Sequence, residues 1–317
     1  SYARYFAYTQ RIYDAAADIF LFTPIHEWRH LLRRQALPAL FSLHRLDALR
    51  TVHESVSSYF SDPRIVQLFD RYATYNGSDP FSAPATLNII PYVEYGLGGY
   101  YIRGGMYRLV ESLIEVAQHL GVSIHTGSRV ERILQENDRV SGLRVDGRDL
   151  AADTIVCNAD VVSAHHQLLD DSVTRRKLSV LEPSISGMVF LWGVRKQHEQ
   201  LAHHNIFFSE DYKKEFEQIF RERRAPDDPT IYVAITSKTD GDHAPDGCEN
   251  WFVLLNMPYL TGEQDWPANV QRMRRTVLEK LRSHGIDIQD SIEEEQIFTP
   301  EDFYSLYGSN RGSIYGI

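Results

Sequence analysis

YYIRGGMYRLVESLIEVAQHLGVSIHTGSRVERILQENDRVSGLRVDGRDLAADTIVCNAD, residues 100–160, decides how this chain is read. Tyr100–Ile102 reads as a short strand, and Gly104 and Gly105 as a tight turn after it. The period then changes. Met106, Leu109, Val110, Leu113, Ile114, Ala117 and Leu120 recur at helical spacing, and Gly121 stops the helix. Beyond it VSIHTG, VERILQEN and VSGLRVDG alternate with period two, and Asn137-Asp138 and Asp146-Gly147 are turn signals. ADTIVCNA is expected as a final buried strand, internal to a sheet. Strand, turn, helix, meander and buried strand make an α/β layer.

Downstream, the pattern turns antiparallel. Strands are expected at Gly187–Val194, Asn205–Ser209, Ile231–Ser237, Trp251–Met257 and Glu295–Phe298, with helices at Asp211–Arg221 and Ala268–His284. That order predicts a broad sheet covered by a few helices. Upstream, residues 1–75 read as several helices punctuated by Pro24, Pro38 and Pro63. Residues 76–100 are rich in Gly and Pro and read as loop. Between Phe20 and Leu49, Trp28, Arg29, Arg33 and Arg34 lie among leucines. Such a mix suits a helix on a membrane surface, or an ordinary amphipathic helix packed on a core. The fold class is therefore mixed, α/β with α+β.

Composition narrows the function classes. The 317 residues carry a formal net charge of −10, which excludes wholesale nucleic-acid binding. Tyr (18) and Phe (15) are abundant, enough for a large core or for the walls of a pocket for flat or polyene-like ligands. Two cysteines, Cys157 and Cys248, form no disulfide framework and fit a reducing cytosol. No apolar run reaches the length of a membrane span, and no signal peptide is visible. The chain enters a helical pattern directly at Ser1 and ends after SNRGSIYG. Both ends are expected to be cuts in a longer protein.

Searches for chemistry return little. GxGxxG, P-loop and GxSxG patterns are missing from the sequence. His203-His204, with His198 nearby, is the strongest metal candidate. Adjacent residues of a strand point to opposite faces, so a loop before a strand with one ring stacked on the sheet is favoured over a metal site. His125 and His165-His166 read as structural. Asp18, Asp47, Glu94 and Asp160 are available acids, with no paired spacing among them. Asn158-Ala159-Asp160 closes the apolar run. It reads either as a cofactor edge beyond a strand's carboxyl end or as a plain connection with Asp160 capping a helix.

Seven segments in order resemble the bacterial phytoene and dehydrosqualene desaturase family. They are SAPATLNIIPYVEYGLGGYYIRGGMYRLVESL (82–113), GVSIHTGSRVERI (121–133), VCNADVV (156–162), QLAHHNIFFSEDY (200–212), DDPTIYVAITSKTD (227–240), APDGCENWFVLLNMPYL (244–260) and FTPEDFYSLYGSNRGSIYG (298–316). The resemblance implies an amine-oxidase-like FAD fold. It assigns residues 1–98 to a helical cap, 99–160 to the middle of the FAD domain, 161–300 to the substrate domain and 301–317 to a segment returning toward the FAD domain. It implies cofactor contacts at Val130, Asn158, Ala159 and Asp160, and a position near substrate and flavin for Gly104, Gly105 and Arg311. YTQRIYD (8–14) resembles a family segment that would make Arg11 catalytic. Tyr8 stands where some relatives carry an acid. The implied reaction is hydride removal from a C–C bond of a carotenoid precursor. The full-length protein would hold FAD, which this chain, without the phosphate loop, is expected not to hold. LAHHNIFFSED, DDPTIYV and SNRGSIYG look particularly like the branch that oxygenates terminal methyls of C30 carotenoids, while IIPYVEYG and RGGMY fit the desaturases as well. A non-catalytic module that binds apolar ligands is the reading from another class. The implied partners are a polyene substrate and, peripherally through residues 20–50, the inner face of the cell membrane.

Overall fold

The computed structural model of the protein describes residues 1–17, 46–137 and 139–317, which form two compact units, Ser1–Tyr100 and Tyr101–Ile317. The membrane-surface candidate (Trp28, Arg29, Arg33, Arg34) lies largely outside the described residues, as do Asp18, Pro24 and Pro38.

The described residues of the first unit are mainly helical. They form α1 (Tyr2–Ala16), α2 (Val52–Ser57), α3 (Pro63–Asp70) and the short α4 (Ile89–Tyr92). Thr51 and Glu54 form a capping box at α2, and Asp62 caps α3 with Pro63 in its first turn. The segment expected as loop, 76–100, holds further helical turns at Ala85–Asn88 and Val93–Leu97. Pro84 supplies the fixed φ that opens the first of these. Aromatic rings fill the core. Phe60 and Phe69 stack at 5.1 Å, and Tyr5 meets Phe69 at 4.7 Å. Buried tyrosine hydroxyls find partners. Tyr5 donates to Asn88 Oδ1 (2.7 Å), and Tyr8 donates to Asp47 Oδ2 (2.6 Å).

One buried acid in this unit sets a pH dependence. Burial pushes the Asp70 carboxyl up to about 6, against the opposing hydrogen bond with His53 Nδ1 at 2.7 Å. An acid raised on folding favours the folded state only while protonated. Its contribution is therefore complete below about pH 4 and lost as pH rises through about 6, for a ceiling of about 3 kcal/mol. Asp70→Asn is expected to flatten the dependence of thermal stability on pH between about 4 and 6. Midpoints recorded across that range check it, and an unchanged slope would refute it.

The second unit begins with the glycine turn. Gly104 and Gly105 take φ of 81° and 89°, as a tight turn demands. Tyr100–Ile102 is not a strand. α5 (Tyr107–His119) follows with the expected stripe, but none of its residues is buried, and Met106 and Leu113 are 68% and 60% exposed. Residues 122–127 are not a strand either. β1 (Val130–Glu136), β2 (Arg139–Val145) and β3 (Arg148–Ala151) form the expected meander in the order β1-β2-β3. ADTIVCNA is neither strand nor buried, and Val156 is 91% exposed. A strand exists only where a neighbour completes its ladder, and past the bond from Ala152 N to Ser141 O no described segment pairs with this one. It leads into α6 (Val161–Gln167), in whose last turn His165 and His166 lie, and α7 (Ser172–Leu178).

The rest matches the antiparallel expectation. β4 (Ser186–Val194), β5 (His204–Phe207), β6 (Ile231–Ala234), β7 (Glu249–Met257) and β8 (Ile292–Phe298) form one sheet in the order β5-β6-β7-β4-β8. α8 (Tyr212–Phe220) and α9 (Trp266–Ser283) are the two expected helices. Met188, Phe190, Trp192, Trp251, Val253 and Leu255 project from one face into a core shared with Met273, Val277 and Leu281 of α9. α10 (Pro300–Tyr307) and the final segment return along β4, where Ile314 N donates to Ile185 O at 3.1 Å.

Candidate functional site

Three features of the second unit gather groups that a ligand could use. The first is a cavity of about 390 Å³, lined by Val130, Asn158 and Ala159 together with Ile133, Leu143 and Tyr307. Three of the four residues expected at a cofactor thus come together. The fourth, Asp160, is turned to another task. Its carboxylate accepts from Ser163 N at 2.9 Å and caps α6. The cavity is within the roughly 300–1,000 Å³ of small-molecule sites. Its walls are mainly apolar, with Asn158 exposed beside them. Such walls fit the flat ring end of a dinucleotide. The phosphate-binding GxGxxG pattern is no part of the sequence.

The second feature is the glycine turn. Asp240 Oδ2 accepts from Tyr101 Oη (2.8 Å) and from Gly104 N (2.7 Å), across more than 130 residues of sequence. These two bonds, Tyr101 first, hold the Asp240 carboxyl below its usual range. His243 lies beneath Gly105. A Cβ there would stand 3.3 Å from His243 Cε1. His243 Nδ1 faces Thr236 Oγ1 at 2.8 Å, and Asn250 Nδ2 donates to the same hydroxyl at 2.6 Å. The turn is thereby tied to strand β7. Asp240, His243 and Thr236 were not legible as site residues, because only the fold brings them to the turn.

His203 and His204 do not diverge as the strand alternation predicts. His203 precedes β5, so the alternation does not govern it, and the two rings lie 4.3 Å apart. His204 stacks on Tyr232, as expected for one ring, with Nδ1 2.8 Å from the Tyr232 hydroxyl. His203 Nδ1 faces Thr239 Oγ1 at 2.6 Å. Burial, followed by the charge of His204, holds the His203 pKa down. Among the described residues no cluster of three His, Cys, Asp or Glu is arranged for a metal ion.

The third feature is the face of the large sheet turned away from the core it shares with α9, where Phe252 is exposed, Leu191, Tyr232 and Leu254 are half-buried, and Val189 and Ala234 are buried. Register places Ala234, Phe252, Leu191 and Gln296 in one row across four strands, with His204 at the β5 end. The next row is Ile206, Tyr232, Leu254, Val189 and Phe298. Five strands span about 19 Å. One sequence signal did exist for this face: β7 carries large apolar residues on both sides, Trp251 and Val253 inward, Phe252 and Leu254 outward.

The two remaining expected residues belong to different units. Arg311 is exposed at φ 51°, with its guanidinium 5.8 Å from the Tyr259 ring centre. Arg11 is exposed on α1 of the first unit. Tyr8, on the same helix, donates to Asp47 Oδ2 at 2.6 Å.

Residues 3–241 match the family described as flavin containing amine oxidoreductase. The chain is 38% identical, over 99% of its own length, to a 1-hydroxycarotenoid 3,4-desaturase of Flavobacterium sp. (strain P99-3). It is 36% identical, over 88% of its length, to a 4,4'-diapolycopene oxygenase of Methylomonas sp.. It spans 64% and 57% of these two relatives. Its fold is similar to that of an oxidoreductase from Methanosarcina mazei, with TM-score 0.58 and 18% identity, covering 86% of this chain and 63% of that one.

Proposed function

The chain belongs to the flavin-containing amine oxidoreductase family, and from that premise we propose that it supplies the substrate-facing part of an FAD-dependent carotenoid desaturase. The observation that carries this reading is the largely apolar outward face of the five-stranded sheet, with Phe252 exposed and Leu191, Tyr232 and Leu254 half-buried on it. A polyene is long, flat and without hydrogen-bonding groups along its length. Two rows of mainly aliphatic and aromatic side chains across about 19 Å, with His204 and Gln296 at the ends of the first, match that shape and chemistry. Such a wall orients the substrate and excludes water.

A bound flavin supplies a two-electron acceptor for the C–H bond being broken. The chain's own residues do the positioning. Val130, Asn158 and Ala159 would hold the adenine end of FAD in their cavity. The turn at Gly104 and Gly105, held by Asp240, brings side-chain-free backbone to the region where substrate and flavin meet. We read Arg311 as proximal to that region and Arg11 as a catalytic group of the cap. The four-part assignment, with a cap at 1–98, FAD-domain middle at 99–160, substrate domain at 161–300 and return segment at 301–317, is part of the same proposal. So is the expectation that this chain by itself does not retain FAD. Similarity to a C30 oxygenase favours a second reading with the same wall and cofactor, in which a terminal methyl is the reacting carbon. A substrate that dissolves in membranes supports peripheral placement at the inner face of the cell membrane. Among the described residues no helix is long and apolar enough to cross one.

Leu191→Glu tests the wall. A carboxylate in the middle row faces desolvation under the polyene, so affinity for a polyene hydrocarbon is expected to fall about tenfold or more. Quenching of tryptophan fluorescence by the bound polyene reads it, and unchanged affinity would sink the proposal.

A further inference from the structure

The outward face of the sheet has a depression of about 620 Å³ at Gly193. Gly193 pairs with Asn250 on β7 and Glu294 on β8, and Leu191 and Phe252 lie one row away on the same face. Glycine leaves a gap where any side chain would stand. A Cβ at Gly193 would lie 3.2 Å from Glu294 Cβ and 3.7 Å from its Cγ, so the glutamate stem forms the rim. The neighbouring acids are engaged. Glu293 pairs with Arg195 at 2.7 Å, and Glu295 pairs with Arg274 at 2.8 Å. Glu294 has no cation or hydrogen-bond donor among the described residues and is exposed at the depression. Asn250 spends its oxygen on Ser237 N and one N–H on Thr236, which leaves one N–H.

We propose that this depression receives the end group of the polyene and that Glu294 makes it selective for neutral ends over anionic ones. The inference rests on the reading of the sheet face as the polyene wall. A hydroxyl can donate to Glu294 while accepting from Asn250 or Gln296. A carboxylate meets the like charge of Glu294 and offers no donor in exchange. The substrate class is thus a long polyene ending in a methyl or an alcohol, and a fully oxidised, acidic end is turned away.

The test uses the whole chain and three polyenes of equal length, ending in methyl, alcohol and carboxylate, at pH 8. The alcohol is expected to bind about tenfold more tightly than the carboxylate, the size of one charge-assisted hydrogen bond. Glu294→Gln should bring the carboxylate within about twofold of the alcohol and leave the methyl-ended polyene unchanged. Gly193→Val should weaken all three by filling the depression. Equal binding of alcohol and carboxylate to the unmodified protein, or discrimination that survives Glu294→Gln, overturns the end-group proposal while the wall reading stands. Failure of all three to bind, or binding indifferent to Leu191→Glu, removes the wall reading and this inference with it.

Discussion

Replacing Glu249 with alanine is expected to cost the second unit about 3–5 kcal/mol of folding free energy. The carboxylate is 2% exposed at the start of β7, and both oxygens are fully used. Oε1 accepts from His198 N (2.9 Å) and Lys238 Nζ (2.7 Å). Oε2 accepts from Trp251 Nε1 (2.9 Å) and faces His198 Nδ1 (2.8 Å). Burial pushes the Glu249 carboxyl up, but the bonds from Lys238, His198 and Trp251 outweigh it and its pKa lies below the ordinary range. An acid lowered on folding stabilises above its unfolded pKa and ceases to as pH falls through its folded one. The contribution is therefore present at neutral pH and lost in acid. Alanine removes the acceptor and leaves the His198 amide and imidazole and the Trp251 indole N–H without their partner, while Lys238 keeps only its bond to His198 O. Glu249→Gln keeps one acceptor and should fall between. Trp192, Trp251 and Trp266 are buried in this unit, so tryptophan fluorescence during urea unfolding reports on it. A loss under about 1 kcal/mol for the alanine variant would contradict the account.

Gly312→Val is expected to destabilise by about 2–5 kcal/mol and to lift the final segment from the sheet. Gly312 has φ 69°, a region closed to β-branched side chains. A Cβ there would fall 2.2 Å from Pro300 O, a backbone atom that cannot turn aside. Relief means moving α10 away from the loop at Asn310–Gly312. That movement breaks the bond from Ser186 Oγ to Gly312 O and strains the one from Leu260 N to Arg311 O at 2.8 Å. Ile314, whose side chain lies over Gly187, would leave with it. Hydrogen exchange at Leu260 and Ile314 amides reports the release before global unfolding does. Wild-type protection at both amides in the valine variant would refute it.

Much of the second unit was legible because the signal is local. Strands β4 to β8 alternate inward and outward residues, and Asp211 and Asp265 cap α8 and α9 at the places where the periodicity changes. The same rules failed at ADTIVCNA and VSIHTG. An apolar run states that a strand is possible, whereas its formation depends on a neighbour. The stripe of α5 shows the same division. Its spacing made the helix readable, and its burial was not written there. In the site, Val130 came from resemblance alone, whereas Asn158 and Ala159 were also readable as a cofactor edge at the end of an apolar run.

The sequence by itself determined the helix and strand periods of the second unit, its antiparallel sheet, the turn at Gly104-Gly105 and the family to which the segments are similar. Tertiary structure alone decided that Asp240 clasps that turn, that Asp160 caps a helix, that Glu249 gathers four donors, and that Gly193 opens a depression beside an unpaired Glu294. The physical reason is separation along the chain. Periodicity and capping act within a few residues, while a hydrogen bond across more than 130 residues, or a gap between three strands, exists only after the strands have chosen their neighbours.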